Sequence, residues 1–221
     1  MTRKHRVTAL GLVVSSVVTY AVISGATAST TVPSGRPALA TIPAIPASVS
    51  AHFAILRRPQ IGSDRATTVA PGDEFAPHGG NTALAREPQG VQVGAPTADP
   101  MLVVPGQGSI CLVHRFDMSG TCQSVADAEA GNAVTWAPCL PGLKPGQVRI
   151  TGLVPDGVSL VTLTLSDASS QTASVQDNSY EFVTPGSFAL PVRVTFSANG
   201  TLATLPTSVS ESDLPPTCQG Q

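Results

Sequence analysis

Six short β-prone runs in the C-terminal half constrain the fold most: Gln147 to Val154, Val158 to Ser166, Gln171 to Gln176, Ser179 to Val183, Pro191 to Ser197 and Thr201 to Leu205. Runs of this length at near-regular spacing predict a sandwich or barrel. The punctuation agrees: Pro155, Asp156 and Gly157 form one turn, Asp167 to Ser170 a second, Asp177 and Asn178 a third, and Asn199 with Gly200 a two-residue hairpin turn that tolerates positive φ. Alternation gives the core face. Val192, Val194 and Phe196 are expected inward against Arg193, Thr195 and Ser197, and Val148, Ile150 and Val154 inward against Arg149 and Thr151. Val161, Leu163, Leu165, Val175, Tyr180 and Phe182 complete the expected core, each side chain contributing about 1.5 to 3 kcal/mol.

Upstream, Met101 to Val104 and Ser109 to His114 are β-rich and separated by Pro105, Gly106, Gln107 and Gly108, which predicts an antiparallel hairpin. Ser124 to Ala130 predicts a short helix capped by Ser124 and bounded by Gly131. The expected organisation is a disulfide-containing hairpin and helix over 101–140, a β-sandwich domain over 141–210, and a tail over 211–221. The fold class is mainly β, a small disulfide-stapled, Ig-like sandwich.

Residues 29–100 are aperiodic and rich in Ala, Thr, Pro, Gly and Ser, a composition that buries too little surface to offset its conformational entropy, so they are expected to form a spacer. Two helical islands interrupt it. Val49 to Arg58 has Ser50 as N-cap and Pro59 as its stop, and Asn81 to Glu87 ends before Pro88. Ahead of the spacer, residues 1–28 combine basic Arg3, Lys4, His5 and Arg6, an apolar run from Val7 to Gly25, and the small-residue site Ala26, Thr27, Ala28. This is the pattern of an export signal, with a mature chain starting near Ser29. The alternative is an uncleaved anchor, the membrane being touched only through this segment; both place the remainder in the cell envelope or outside the cell.

In an oxidising compartment the even set Cys111, Cys122, Cys139 and Cys218 predicts two disulfides, for which three connectivities exist. Cys111 with Cys122 closes a short loop across the turn from Asp117 to Gly120; Cys139 with Cys218 then ties the tail back. A zinc site competes with this reading, but no CxxC pair is present, and Cys111 and His114 fall on opposite faces of a strand. A net charge of -2, without a basic stripe outside the signal, gives no footprint for nucleic acid.

Several pieces resemble a loosely defined family of uncharacterised exported proteins from bacteria with GC-rich genomes. They are Phe53, Ala54, Ile55, Leu56, Arg57, Arg58, Pro59 and Asp64; Val104, Pro105, Gly106 leading to Ser109, Ile110, Cys111, Leu112, Val113; Gly120, Thr121, Cys122; and Gly152, Leu153, Val154, Pro155, Asp156, Gly157, Val158 followed by Asp177 and Asn178. The resemblance implies the Cys111 to Cys122 pairing and carries no activity. Cys139 and Cys218 lie outside it.

No catalytic, cofactor-binding or metal-ligating residue is assigned from sequence. Gly106, Gln107, Gly108, Ser109 lacks the second glycine and following helix of a serine-hydrolase elbow, and there is neither a dinucleotide fingerprint nor a P-loop. Among His5, His52, His78 and His114 only the last is expected in the folded part. Asp117, Asp127, Glu129, Asp156, Asp167, Asp177 and Glu181 fall mostly at turns, where hydrogen bonding explains them; Asp156 and Asp177 as calcium ligands are the alternative. Trp136 is either a core anchor or an exposed binding aromatic, and burial is expected. The functional expectation is a non-catalytic module without cofactor that meets an envelope or extracellular protein or polysaccharide. A hydrolase with a dispersed site and a structural wall component are the alternatives.

Overall fold

The computed structural model describes residues 44–64, 79–89, 100–115, 120–138, 140, 142–144, 146–186 and 189–207. The expected export signal of residues 1–28, most of the turn from Asp117, the pairing of Cys139 with Cys218, the tail 211–221, His5 and His78 lie outside them. In chain order the elements are α1 (Ala47–Ser50), β1 (Met101–Pro105), β2 (Ser109–His114), β3 (Gly120–Ser124), α2 (Val125–Glu129), β4 (Val134–Pro138), β5 (Val148–Leu153), β6 (Leu160–Leu165), β7 (Ser170–Ser174), β8 (Ser179–Val183), β9 (Pro191–Ala198) and β10 (Thr201–Pro206). Single 3-10 turns occur at Ala54–Leu56, Gly62–Asp64 and Thr82–Leu84. Among these residues no helix is long and apolar enough to cross a membrane.

All six C-terminal runs are strands. With β4 they form two antiparallel sheets, β4-β5-β8 and β10-β9-β6-β7, closed over one core in which Val148, Ile150, Tyr180 and Phe182 face Val161, Leu163, Ala173, Val194 and Phe196. The result is the expected Ig-like sandwich with seven strands, β7 lying beside β6. The chain passes from β7 to β8, and so between sheets, through Asp177 and Asn178, both with positive φ (47° and 62°). At Gly152 an added Cβ would lie 2.2 Å from the Tyr180 ring, so only glycine lets that ring lie flat on β5.

Strand β4 escapes sequence reading. Its residues fall in the hairpin-and-helix unit expected over 101–140, for which the sequence predicts no further strand, yet it pairs with β5 and belongs to the sandwich. One inward assignment is also corrected: Val192 is 45% exposed. Thr164 of β6 pairs with Arg193, but Leu165 pairs with Pro191, which leaves Val192 as an extra residue on β9. The bulge shifts the alternation by one position, burying Pro191 and turning Val192 to solvent.

The third sheet, β1-β2-β3, is antiparallel, with β1 and β2 covered on both faces and β3 half-exposed at its edge. Cys111 and Cys122 face each other in the β2 and β3 register and are bonded, with Cα atoms 4.0 Å apart. Beside them Leu102, Val104 and Val113 form a small cluster. Helix α2 starts as expected, with Ser124 Oγ accepting the Asp127 amide at 3.1 Å.

The spacer expectation does not hold for residues 44–64 and 79–89. Val49, Phe53 and Ile55 are fully buried and Leu56 nearly so, in a cluster with Met101, Val103, Ile110 and Leu112 of the hairpin and Leu153 of β5. These apolar residues show no period because the segment is a chain of single turns. The expected islands accordingly shrink: α1 starts after Pro46, Ser50 is its last residue rather than its cap, and Asn81 caps only the turn Thr82–Leu84, its Oδ1 accepting the Ala83 amide at 3.1 Å. Arg86 bridges Val103, which fixes 79–89 along β1.

Candidate functional site

Two polar constellations stand apart from the core. The first joins residues 50–64 and 84–89 to the turns of the sandwich and hairpin. Asp64 is fully buried and accepts Arg58 Nη1 and Nη2, each at 2.8 Å, together with the amides of Ile61 (2.6 Å) and Glu87 (2.7 Å). Arg58 also reaches Glu87 O at 2.7 Å and lies 3.5 Å from Asp177. Arg115, at the end of β2, pairs with Glu87 at 2.6 Å and donates to Ser63 O. Arg86 is nearly buried and donates to the carbonyls of Arg58, Leu84 and Ala85.

The same clasp continues at the turn after β5. Asp156 accepts the Ala54 amide (2.7 Å), Arg57 Nη2 (2.6 Å) and Asn178 Nδ2 (3.0 Å), while Asn178 Oδ1 accepts the Ile55 amide at 3.0 Å. Phe53 to Asp64, Pro155 to Gly157, and Asp177 with Asn178 are distant in sequence and meet here. Residues of all three belong to the pieces that carry the resemblance, but nothing in their linear order places them together; Arg86, Glu87 and Arg115 carry no sequence signal, because their partners are set by the tertiary fold.

Electrostatics show what this arrangement does. Burial pushes the Asp64 carboxyl upward, but hydrogen bonds from Arg58 and the Ile61 and Glu87 amides, with the Arg58 charge, outweigh it and hold the group below the ordinary aspartate range. Asp156 is lowered in the same way: burial opposes, and Asn178, Arg57 and the Ala54 amide prevail. At Glu87 burial wins over Arg115 and the carboxyl is raised. Each acid is committed to a named donor, so the clasp fastens the N-terminal segment. An open groove of about 480 Å³ passes its arginines, lined in part by Ile45, Leu56 and Leu84, but the guanidinium groups of Arg57, Arg58 and Arg86 are already engaged.

The second constellation is uncommitted. At the seam where edge strands β4 and β10 leave the sandwich open, a cleft of about 190 Å³ is lined by Val134, Trp136, Leu205 and Pro206, with Asn132 and Thr207 as its polar members. Trp136 is 37% exposed, which corrects the expectation of burial. It pairs with core-facing Ile150 and so shares that face, but β4 is an edge strand, and Trp136 remains partly exposed in the cleft it lines with Leu205 and Pro206 of β10. Among the described residues Thr207 Oγ1 is buried without a hydrogen-bond partner, and neither the Asn132 amide group nor the Trp136 indole N–H makes a hydrogen bond. Gly131, at the cleft wall, has φ 90° and would place a Cβ 2.5 Å from Phe196, so the wall requires glycine.

The other candidate residues lie elsewhere. His114 is buried at the end of β2 opposite Met101 and lines neither groove. His52 pairs with Glu129, Asp127 serves the α2 cap, and Asp167 accepts from Ser169 at its own turn. Glu181 pairs with buried Arg149 at 2.7 Å, and burial raises its carboxyl more than Arg149 lowers it. Among the described residues no three His, Cys, Asp or Glu side chains gather as for a metal. Comparison with protein-family models, characterised proteins and solved structures finds no match, so the two constellations themselves carry the reading of function.

Proposed function

We propose that the protein is exported and acts in the cell envelope or extracellular space as a non-catalytic binding module, recognising an envelope or extracellular protein or polysaccharide and not nucleic acid. The observation that carries this reading is the division of its polar groups. The arginines and carboxylates of the clasp are consumed in fastening the chain to itself, whereas the seam cleft is lined by residues carrying an exposed indole, an amide and a hydroxyl that have no partner among the described residues. Surfaces of that kind are ligand-facing in binding modules. Export is supported by the basic and apolar N-terminal pattern and by the Cys111 to Cys122 bond, which persists in oxidising compartments.

Two measurements test the proposal. Mass spectrometry of the secreted protein is expected to give an N-terminus near Ser29; recovery of the intact chain from the cytoplasm refutes export. The mature chain is expected to co-sediment with isolated cell envelopes, and its remaining wholly in the supernatant refutes the binding role.

A further inference from the structure

The Trp136 cleft can be read for the chemistry of its occupant, an inference that rests on the binding-module reading. None of its lining residues is charged, which disfavours phosphate, carboxylate and basic peptide. Its volume of about 190 Å³ falls below the roughly 300 to 1,000 Å³ of pockets for drug-sized ligands, so it holds a single ring, as one unit of a longer chain. The indole offers a flat π face whose negative quadrupole attracts weakly positive C–H groups, as on the face of a sugar ring. Asn132 and Thr207 each supply groups that both donate and accept, which match hydroxyls better than the acceptor-only carbonyls of a proline-rich peptide.

The buried Thr207 hydroxyl adds an independent argument. A buried polar atom without a partner costs stability, and here it belongs to a residue lining the cleft that also exposes an indole. Peptide addition along the flanking edges is opposed by Pro138 and Pro206, which end β4 and β10 and lack the N–H a ladder requires. We infer that the Trp136 cleft binds one unit of a neutral polysaccharide, its ring stacked on the indole and its hydroxyls bonded to Asn132 and, once a χ1 rotation brings the buried hydroxyl to the cleft, to Thr207.

Trp136 is the chain's single tryptophan, so its fluorescence isolates the cleft. The mature protein is titrated with uncharged oligomers of glucose, of mannose and of N-acetylglucosamine, and with an uncharged proline-rich peptide. At least one sugar is expected to shift the emission with a Kd in the roughly millimolar range or below. Asn132→Ala is expected to weaken that binding about two- to tenfold, and Thr207→Val to weaken it similarly while leaving Tm unchanged or higher, opposite movements that a purely structural hydroxyl does not produce. No shift with any of the three sugars overturns the inference. A shift with the peptide alone overturns the sugar assignment and leaves the binding module standing, as does envelope co-sedimentation unaffected by Asn132→Ala and Thr207→Val. Failure of the wild-type protein both to bind envelopes and to respond to any of the sugars or the peptide overturns both readings.

Discussion

Asp64 shows how one carboxylate can outweigh the cost of its own burial. Its four hydrogen bonds come from both nitrogens at the end of Arg58 and from two backbone amides, which is why its proton affinity falls despite full burial. Asp64→Ala is expected to destabilise the fold by about 3 kcal/mol, the low end for breaking a buried pair because Arg58 still has Asp177 nearby, as read by urea unfolding. Asp64 and Asp156 have folded pKa values below their unfolded ones, so their stabilisation is present above about pH 4 and lost as pH falls through the folded values. Glu87 and Glu181, raised by burial, act with the opposite sign: they favour the fold more as pH falls into their folded range. Unfolding free energy measured from pH 7 downward should therefore drop in the wild type below about pH 4, and drop less in Asp64→Ala. Phe196→Ala, at a core site that strand alternation identifies, should cost about 3 to 5 kcal/mol. Alternation was legible there because β9 is regular from Arg193 onward. It misled at Val192, where a bulge adds a residue without any sequence mark, and the residue type alone misled at Trp136, whose exposure follows from the edge position of β4.

Among the elements, the N-terminal segment departs most from its sequence. Its composition is that of a spacer, and the information that it packs lies in four apolar residues without a period, Val49, Phe53, Ile55 and Leu56. At about 1.5 to 3 kcal/mol each, their burial contributes roughly 6 to 12 kcal/mol, comparable to the 5 to 15 kcal/mol by which whole domains are stable. A chain beginning at Met101 should therefore fail to unfold cooperatively in a thermal scan, while one beginning near Ala44 does so. The strands themselves were legible because each run is short, β-branched and closed by turn residues; Asn199 and Gly200 take the expected positive φ of 51° and 80°. The bond between Cys111 and Cys122 fastens β2 to β3, and Cys111→Ala with Cys122→Ala should cost about 3 kcal/mol by the chain-entropy estimate, again measured by urea unfolding.

For the whole molecule, sandwich and hairpin sheet share the segment between Val49 and Leu56 as common filling, with Leu153 of β5 entering the hairpin's cluster. This follows from tertiary burial, which a linear reading of domains at residues 100 and 140 does not register. A chain ended before Asp177 should leave residues 44–64 open to limited proteolysis, although every residue of that segment is present. The amide of Ile55 waits for Asn178, 123 residues further along, and that of Ala54 for Asp156, 102 residues further. Contacts of such long range close slowly, because loop entropy is lost before they form. In a chain delivered from its N-terminus, the first buried side chains to emerge are thus among the last to find their places. The polypeptide stays pliable until most of its length has arrived, the condition under which a narrow channel can still pass it.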